Sequence, residues 1–217
     1  MSSEPDIHGT SVVLLGDFNP KIFQPSWFGA QGLIRPTEAE TAEVKIIHPD
    51  VVEFSLEWVQ VQVTRERFSA DTRQDAFFEV LRDLVLGTFD LLSHTPVRRM
   101  GINVQMHFRM PSEDAWHSFG HKIAPKDLWT ELLDNPGLAN LTMQGGRPDE
   151  YDGHIQVQVQ PSRQLSPHGI HLAVNDDYML KGKDSTTGSK GMMEVLQNSW
   201  VQSLERSRSI INTLMER

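Results

Sequence analysis

Apolar and polar residues alternate along several stretches of the chain, and each alternation predicts a strand with one dry face and one wet face. In His154–Gln160 the apolar side chains fall at Ile155, Val157 and Val159, opposite His154, Gln156, Gln158 and Gln160. Gly101–Arg109 repeats the pattern, with Ile102, Val104, Met106 and Phe108 opposing Asn103, Gln105, His107 and Arg109, and Ile170, Leu172 and Val174 continue it. Fully buried parallel strands read as unbroken apolar runs, so the alternation points to an antiparallel sheet with one polar face. Between Val51 and Thr64 the phase slips: Val52, Phe54, Leu56 and Trp58 share one face, then Val59, Val61 and Val63 continue on the other. A bulge near Trp58 or Val59 would absorb that slip within one bent strand. Val44–Ile47 is the expected hairpin partner through the turn formers of His48, Pro49 and Asp50. Leu138–Gln144 pairs with the strand starting at His154 through the Gly-, Pro- and Asp-rich stretch from Gly145 to Gly153, and Ser11–Phe18 adds a further strand, giving about seven.

Helical spacing replaces alternation in two places. Asp71–Gln74 has capping-box spacing, and after it Phe77, Val80, Leu81, Leu84, Val85, Leu91 and Leu92 recur at helical intervals until Pro96 stops them. A C-terminal helix from Ser189 to Met215 carries Met192, Leu196, Trp200, Leu204, Ile211 and Leu214 on one face. Beside that face Ser199, Ser203 and Ser207 recur every four residues, which suits either ordinary surface serines or a groove for close approach. A short helix is expected over Lys126–Leu133, opened by Pro125 and closed by Asn135, Pro136 and Gly137. The resulting fold class is α+β: a single curved antiparallel sheet of about seven strands with two long helices on one face. Residues 1–10 read as a flexible N-terminus and 11–217 as a single α+β domain. The order of elements suggests two similar halves, although no sequence repeat accompanies it.

Composition narrows the chemistry. The 217 residues are 38% hydrophobic and 23% charged, with a formal net charge of −9, which fits a soluble globular chain and repels phosphate backbones. Nucleic-acid binding by direct charge attraction is therefore not expected, nor is a membrane span. Cysteine is absent, which removes disulfides, thiolate nucleophiles, thiolate zinc sites and iron–sulfur clusters. The polar opening, with Glu4 and Asp6, shows no targeting segment, so a cytoplasmic protein is expected.

Candidate motifs each have a plainer reading. Gly182 to Gly191 lies where a phosphate loop belongs, but five residues separate Gly182 from Gly188, and Ser189 precedes Lys190, so Lys and hydroxyl are both misplaced. A mobile loop ending in a helix cap is expected instead. His117 and His121 have the four-residue spacing of zinc-binding imidazoles, yet Ser118 stands where a metalloprotease would need Glu, and Gly120 with Pro111 argues against a helix. Glu113, Asp114, His168 or His171 would complete a metal site only if the fold gathered them. Asp149–Asp152 and Asn175–Asp177 lack the calcium-loop ladder and read as solvated turns. No Gly-x-Ser-x-Gly elbow is present. Phe18, Phe23, Trp27 and Phe28, interleaved with Pro20, Pro25 and Gly29, suit an irregular segment wrapped over one end of the core.

Pro96 followed by Arg99, Met100, Gly101 and Ile102 at the head of a strand, the later Asn175, Asp176 and Asp177, and the terminal helix with spaced Ser and Leu resemble a sporadically distributed bacterial family of unassigned function. In that family a long amphipathic helix feeds a strand opening with Arg-aliphatic-Gly-aliphatic. The likeness runs from Val51 to the C-terminus. The family's strand continues with Arg, an aromatic and Asn, whereas this chain has Asn103, Val104, Gln105 and Met106. The resemblance implies no catalytic residues.

With no convergent catalytic motif, the sequence leans towards a non-enzymatic protein-interaction or assembly protein. A protein partner or self-association is expected, using a polar strand face with Gln60, Gln62, Gln105, Gln156 and Gln158. The alternatives are a small-molecule-binding protein with a pocket between sheet and C-terminal helix, and a metalloenzyme using His117 and His121. No catalytic, cofactor-binding or metal-binding residue is assigned, and no cofactor is expected.

Overall fold

The computed structural model describes residues 4–180 and 188–216. Nine strands form one antiparallel sheet: β1 (Ile7–Gly16), β2 (Glu43–His48), β3 (Val51–Ser55), β4 (Gln60–Thr64), β5 (Arg67–Thr72), β6 (Val97–Arg109), β7 (Leu141–Gly146), β8 (Gly153–Pro161) and β9 (Gly169–Met179). Their spatial order is β2-β3-β4-β5-β1-β6-β9-β8-β7. Short helices α1 (Pro25–Ala30) and α2 (Pro36–Glu40) follow β1, α3 (Phe78–Leu91) follows β5, α4 (Glu113–Ile123) follows β6, and α5 (Lys190–Glu216) follows β9. The fold is thus α+β with a single antiparallel sheet, as expected, but with two more strands than the alternation reveals.

Both long helices lie over the dry face. Val12, Leu14, Phe68, Ala70, Ile102, Val104, Leu172 and Val174 are buried there beneath Leu81, Val85 and Phe89 of α3 and Met192, Leu196 and Trp200 of α5. Burial of each large side chain stabilises by about 1.5–3 kcal/mol, so this layer is the main source of cohesion. Ser199, Ser203 and Ser207 are not surface serines: all three are buried on α5, and among the described residues the Ser203 and Ser207 hydroxyls have no hydrogen-bond partner. A serine every fourth residue lets the helix backbone approach the sheet more closely than leucine would. The N-terminal aromatics wrap the core as expected, with Phe23 packed among Phe18, Phe28, Phe68 and Phe89 at centroid separations of 5.6–6.4 Å.

Several local expectations are corrected. The phase slip in Val51–Thr64 is a tight turn rather than a bulge: the Leu56 N–H donates to the Val59 carbonyl at 2.8 Å, and β3 and β4 pair as a hairpin. Asp71 does not cap a helix; it belongs to β5, and α3 begins at Phe78 after a 3-10 turn over Asp75–Phe77. Helix α4 forms despite Gly120, because the Ser112 hydroxyl caps it by accepting the Ala115 N–H at 3.1 Å. The regular helix expected over Lys126–Leu133 is replaced by successive turns. Strand β1 begins at Ile7, so residues placed in a flexible terminus form part of the central sheet.

The topology repeats. In each half one strand is followed by short helical segments, a three-stranded meander and a long helix: β1, β3–β5 and α3, then β6, β7–β9 and α5. The leading strands β1 and β6 pair at the centre, and β2 is an addition at one end.

Candidate functional site

The face away from the helices is polar across almost the whole sheet. Ser55, Gln60, Asp71, Ser11, Asn103, Asn175, Gln156 and Gln144 stand abreast on eight consecutive strands. With neighbouring strands about 4.8 Å apart, this row is a continuous polar track on the order of 30 Å long. The first half is stitched by its own bonds. Glu53 accepts from Lys45 at 3.0 Å, Gln60 at 3.0 Å and Gln62 at 2.8 Å, and the Lys45 contact leads in holding its carboxyl below the usual range. Burial pushes the Asp71 carboxyl the other way, upward. In the second half Ser11, Asn103, Gln105, Gln156, Gln158 and Asn175 line a groove of about 310 Å³.

The segments Arg99–Ile102 and Asn175–Asp177, read separately in the sequence, are adjacent strands here. Arg99 binds both carboxylate oxygens of Asp177, Nε at 2.7 Å and Nη2 at 3.0 Å, and His154 Nδ1 lies 3.3 Å from Asp177 Oδ2. Gly101 leaves room for the Asn175 side chain: a Cβ at Gly101 would lie 2.6 Å from Asn175 Oδ1, which is buried and unpartnered among the described residues. Asp176 and Asp177 are therefore buried strand residues, not the solvated turn expected of them.

Asp176 points to the dry face, where the structure closes an ion network. Arg147 grips Asp149 through two bonds of 2.9 and 2.7 Å, contacts Asp176 through Nη1, and lies 3.7 Å over the Tyr178 ring. Arg206 from α5 bonds Asp176 at 2.8 Å and Asp149 at 2.7 Å. Burial opposes the Asp149 charge, but its hydrogen bonds to Arg147 and Arg206 prevail, leaving its carboxyl below the usual range. Two cations and two anions thus bind the β7–β8 connection, β9 and α5 together. This is a clamp built from charges rather than an open site.

At the far end of the polar face, His107 and His171 stack with centroids 4.4 Å apart. Ser162 Oγ accepts the N–H groups of Gln164 at 3.1 Å and Leu165 at 3.0 Å, so its own hydrogen goes to His107 Nδ1 at 2.7 Å. Gln160 Nε2 donates to His171 Nδ1 at 2.9 Å, which fixes that ring with its hydrogen on Nε2, a buried atom that has no partner among the described residues. Burial, then the neighbouring His107, lowers the His171 pKa to about 4, and burial lowers that of His107 as well. The pair is held neutral. The sequence marks His171 only as a remote metal-ligand candidate; its pairing with His107 leaves no local signal.

His117 and His121 both lie on α4 and are exposed, with His117 Nε2 3.7 Å from Glu113. His168 lies near the Trp116 ring at 6.4 Å. Among the described residues no three histidines or carboxylates are grouped as metal ligands. Most of the loop that resembles a phosphate loop, residues 181–187, lies outside the described residues, while Ser189 is buried and donates to the Phe89 carbonyl at 2.9 Å. A groove where Arg208 and Asn212 of α5 meet Met106 and the N-terminal segment is wide and charged, and a smaller apolar cavity of about 120 Å³ lies beneath α4.

The sheet ends are open. All six residues of β2 are exposed, Val44, Ile46 and Ile47 among them, and β7 at the opposite end exposes Met143. Among the described residues no helix is long and apolar enough to cross a membrane. No protein-family model and no curated protein matches the chain.

Proposed function

We propose that the protein is a non-enzymatic interaction or assembly protein whose first association is with itself, through the edge strand β2. The observation that carries this reading is the composition of that edge: three β-branched apolar residues exposed along six, with no neighbouring strand on the outer side among the described residues. An unpaired row of backbone N–H and C=O groups is a template for strand addition, and most folded proteins cover it or place charges along it. Here Lys45 is the one charged residue between Val44 and Ile47, and it is drawn towards Glu53 on the polar face.

The strand is complementary to itself. Against β3 the strand shifts register between Val44 and Ile46, which puts Val44 and Ile47 on one face and Glu43 and His48 on the other; an antiparallel two-fold centred between Lys45 and Ile46 then sets Val44 against Ile47 and Glu43 against His48, pairing apolar with apolar and acid with imidazole. Strand β7 is a weaker template, because it ends in Gly145 and Gly146. A six-residue edge buries less than the roughly 1,200 Å² of a standard stable interface, so the association is concentration-dependent. The proposed setting is cytoplasmic, and the resemblance to a bacterial family of unassigned function adds no reaction.

Sedimentation velocity from about 1 to several hundred micromolar tests the reading, since a weak dimer dissociates across that range. The native chain is expected to shift from monomer to dimer, and the Val44→Lys/Ile47→Lys double variant, altered only at exposed positions, is expected to stay monomeric. A native chain that stays monomeric throughout, or a double variant that dimerises equally well, refutes it.

A further inference from the structure

We propose that the cavity beneath α4 is a binding site for a small monocarboxylate with an apolar body, with Lys126 supplying the countercharge. Helix α4 turns Trp116, Phe119 and Ile123 towards the sheet at helical spacing, and the Trp116 indole N–H anchors that face by donating to the Gly169 carbonyl at 3.1 Å. The chain after α4 then doubles back. Trp116, Phe119, Leu138, Pro161 and Ile170 enclose a space of about 120 Å³ that remains open on one side, and Lys126 completes its wall. That volume approaches the roughly 150 Å³ cavity that admits benzene, so it sets the body of a ligand at five or six carbons.

Lys126 is the feature that specifies charge. It is only 9% exposed, and among the described residues its ammonium makes no hydrogen bond or ion pair. Its backbone is fixed, because its carbonyl accepts the N–H groups of Trp129 at 2.7 Å and Thr130 at 3.1 Å. The Lys126 ammonium is not among the polar atoms buried without a partner, so the residue buries its hydrocarbon stem in the wall and keeps its charged head within reach of water. A carboxylate at the open side would meet that cation while its hydrocarbon part replaces water against Trp116 and Phe119. A single small cation at the edge of an apolar space suits one carboxylate better than a phosphate, which forked arginine donors and backbone amides hold better. The site is separate from β2, and its occupancy does not depend on self-association.

The test uses the full chain with benzoate as probe and benzamide as its neutral isostere, followed by amide chemical-shift titration. Benzoate is expected to bind with a dissociation constant in the high-micromolar to millimolar range, as befits so few atoms, and to shift Gly120 and Gly137. Benzamide is expected to bind at least tenfold more weakly, and Lys126→Met, which keeps the apolar stem, is expected to weaken benzoate at least tenfold while leaving benzamide unchanged. The Lys126→Met amide spectrum must retain the native dispersion; should it not, the comparison of benzoate with benzamide on the native chain decides alone. Absence of benzoate binding at several millimolar, equal binding of the two probes, or shifts confined to other surfaces overturns the assignment.

Discussion

Acidification should weaken the fold through one identifiable imidazole. His171 has its ordinary value of 6.5 in the unfolded chain and about 4 in the folded one, because burial and then the stacked His107 disfavour its cation. The unfolded chain therefore binds the proton more readily, so stability is complete above about pH 6.5 and drains as pH falls towards 4. Every tenfold difference in proton affinity between the two states is worth about 1.4 kcal/mol, which sets the ceiling near 3 kcal/mol; residual exposure of the ring reduces this to about 2. Urea denaturation of the native chain and of His171→Gln at several pH values between 7.5 and 4.5 isolates the contribution, since the other titrating groups are common to both. The native chain is expected to lose about 2 kcal/mol more than the variant across that window. Parallel stability curves for the two proteins would refute the reasoning, as would an imidazole resonance of His171 that titrates near its ordinary value.

Two further outcomes follow from the buried layer. Arg147→Met leaves Asp176, which is fully buried, with Arg206 as its remaining cation, and should cost about 3–5 kcal/mol in urea denaturation; an unchanged midpoint would mean that Arg206 alone compensates. Ser203→Ala removes a buried hydroxyl without a partner and should raise the thermal midpoint or leave it unchanged, whereas Ser203→Leu forces α5 off the sheet at about 1–3 kcal/mol. Equal effects of the two substitutions would show that the helix does not depend on small residues there.

Strands β6, β8 and β9 are legible in the sequence because each has one dry face and one wet face, so alternation records them directly. Strand β5 is not: only Phe68 in Arg67–Thr72 is strongly apolar, and Ala70 and Thr72 face the core with little hydrophobic signal. A bulge and a tight turn leave the same trace in apolar phase, which is why Val51–Thr64 resembles one strand. Helix α4 is hidden by Gly120, whose cost of about 1 kcal/mol is outweighed by the Ser112 cap and the burial of Phe119. The polar sites are less readable still. Asp176 has the look of a turn residue because aspartate usually is one; what holds it in a strand are arginines 29 and 30 positions away, on a loop and on a helix. The stacked imidazoles and the cavity above Ile170 likewise depend on tertiary neighbours, and no spacing rule connects His107 to His171 or Lys126 to Trp116.

The central pairing of β1 with β6 imposes an order on the birth of the molecule. Strand β1 is made before the strands it joins and lies in the middle of the finished sheet, yet Thr10 finds its partner Asn103 only 93 positions later. Until then, a nascent first half can pair β1 with β5 and cover it with α3, but must carry the opposite side of a long, largely apolar strand as a raw edge. Non-local closure of this kind is slow, and its intermediates are prone to capture by other chains. The seam between the halves is therefore where synthesis and folding must keep pace, and where a chain interrupted before β6 is most exposed to aggregation.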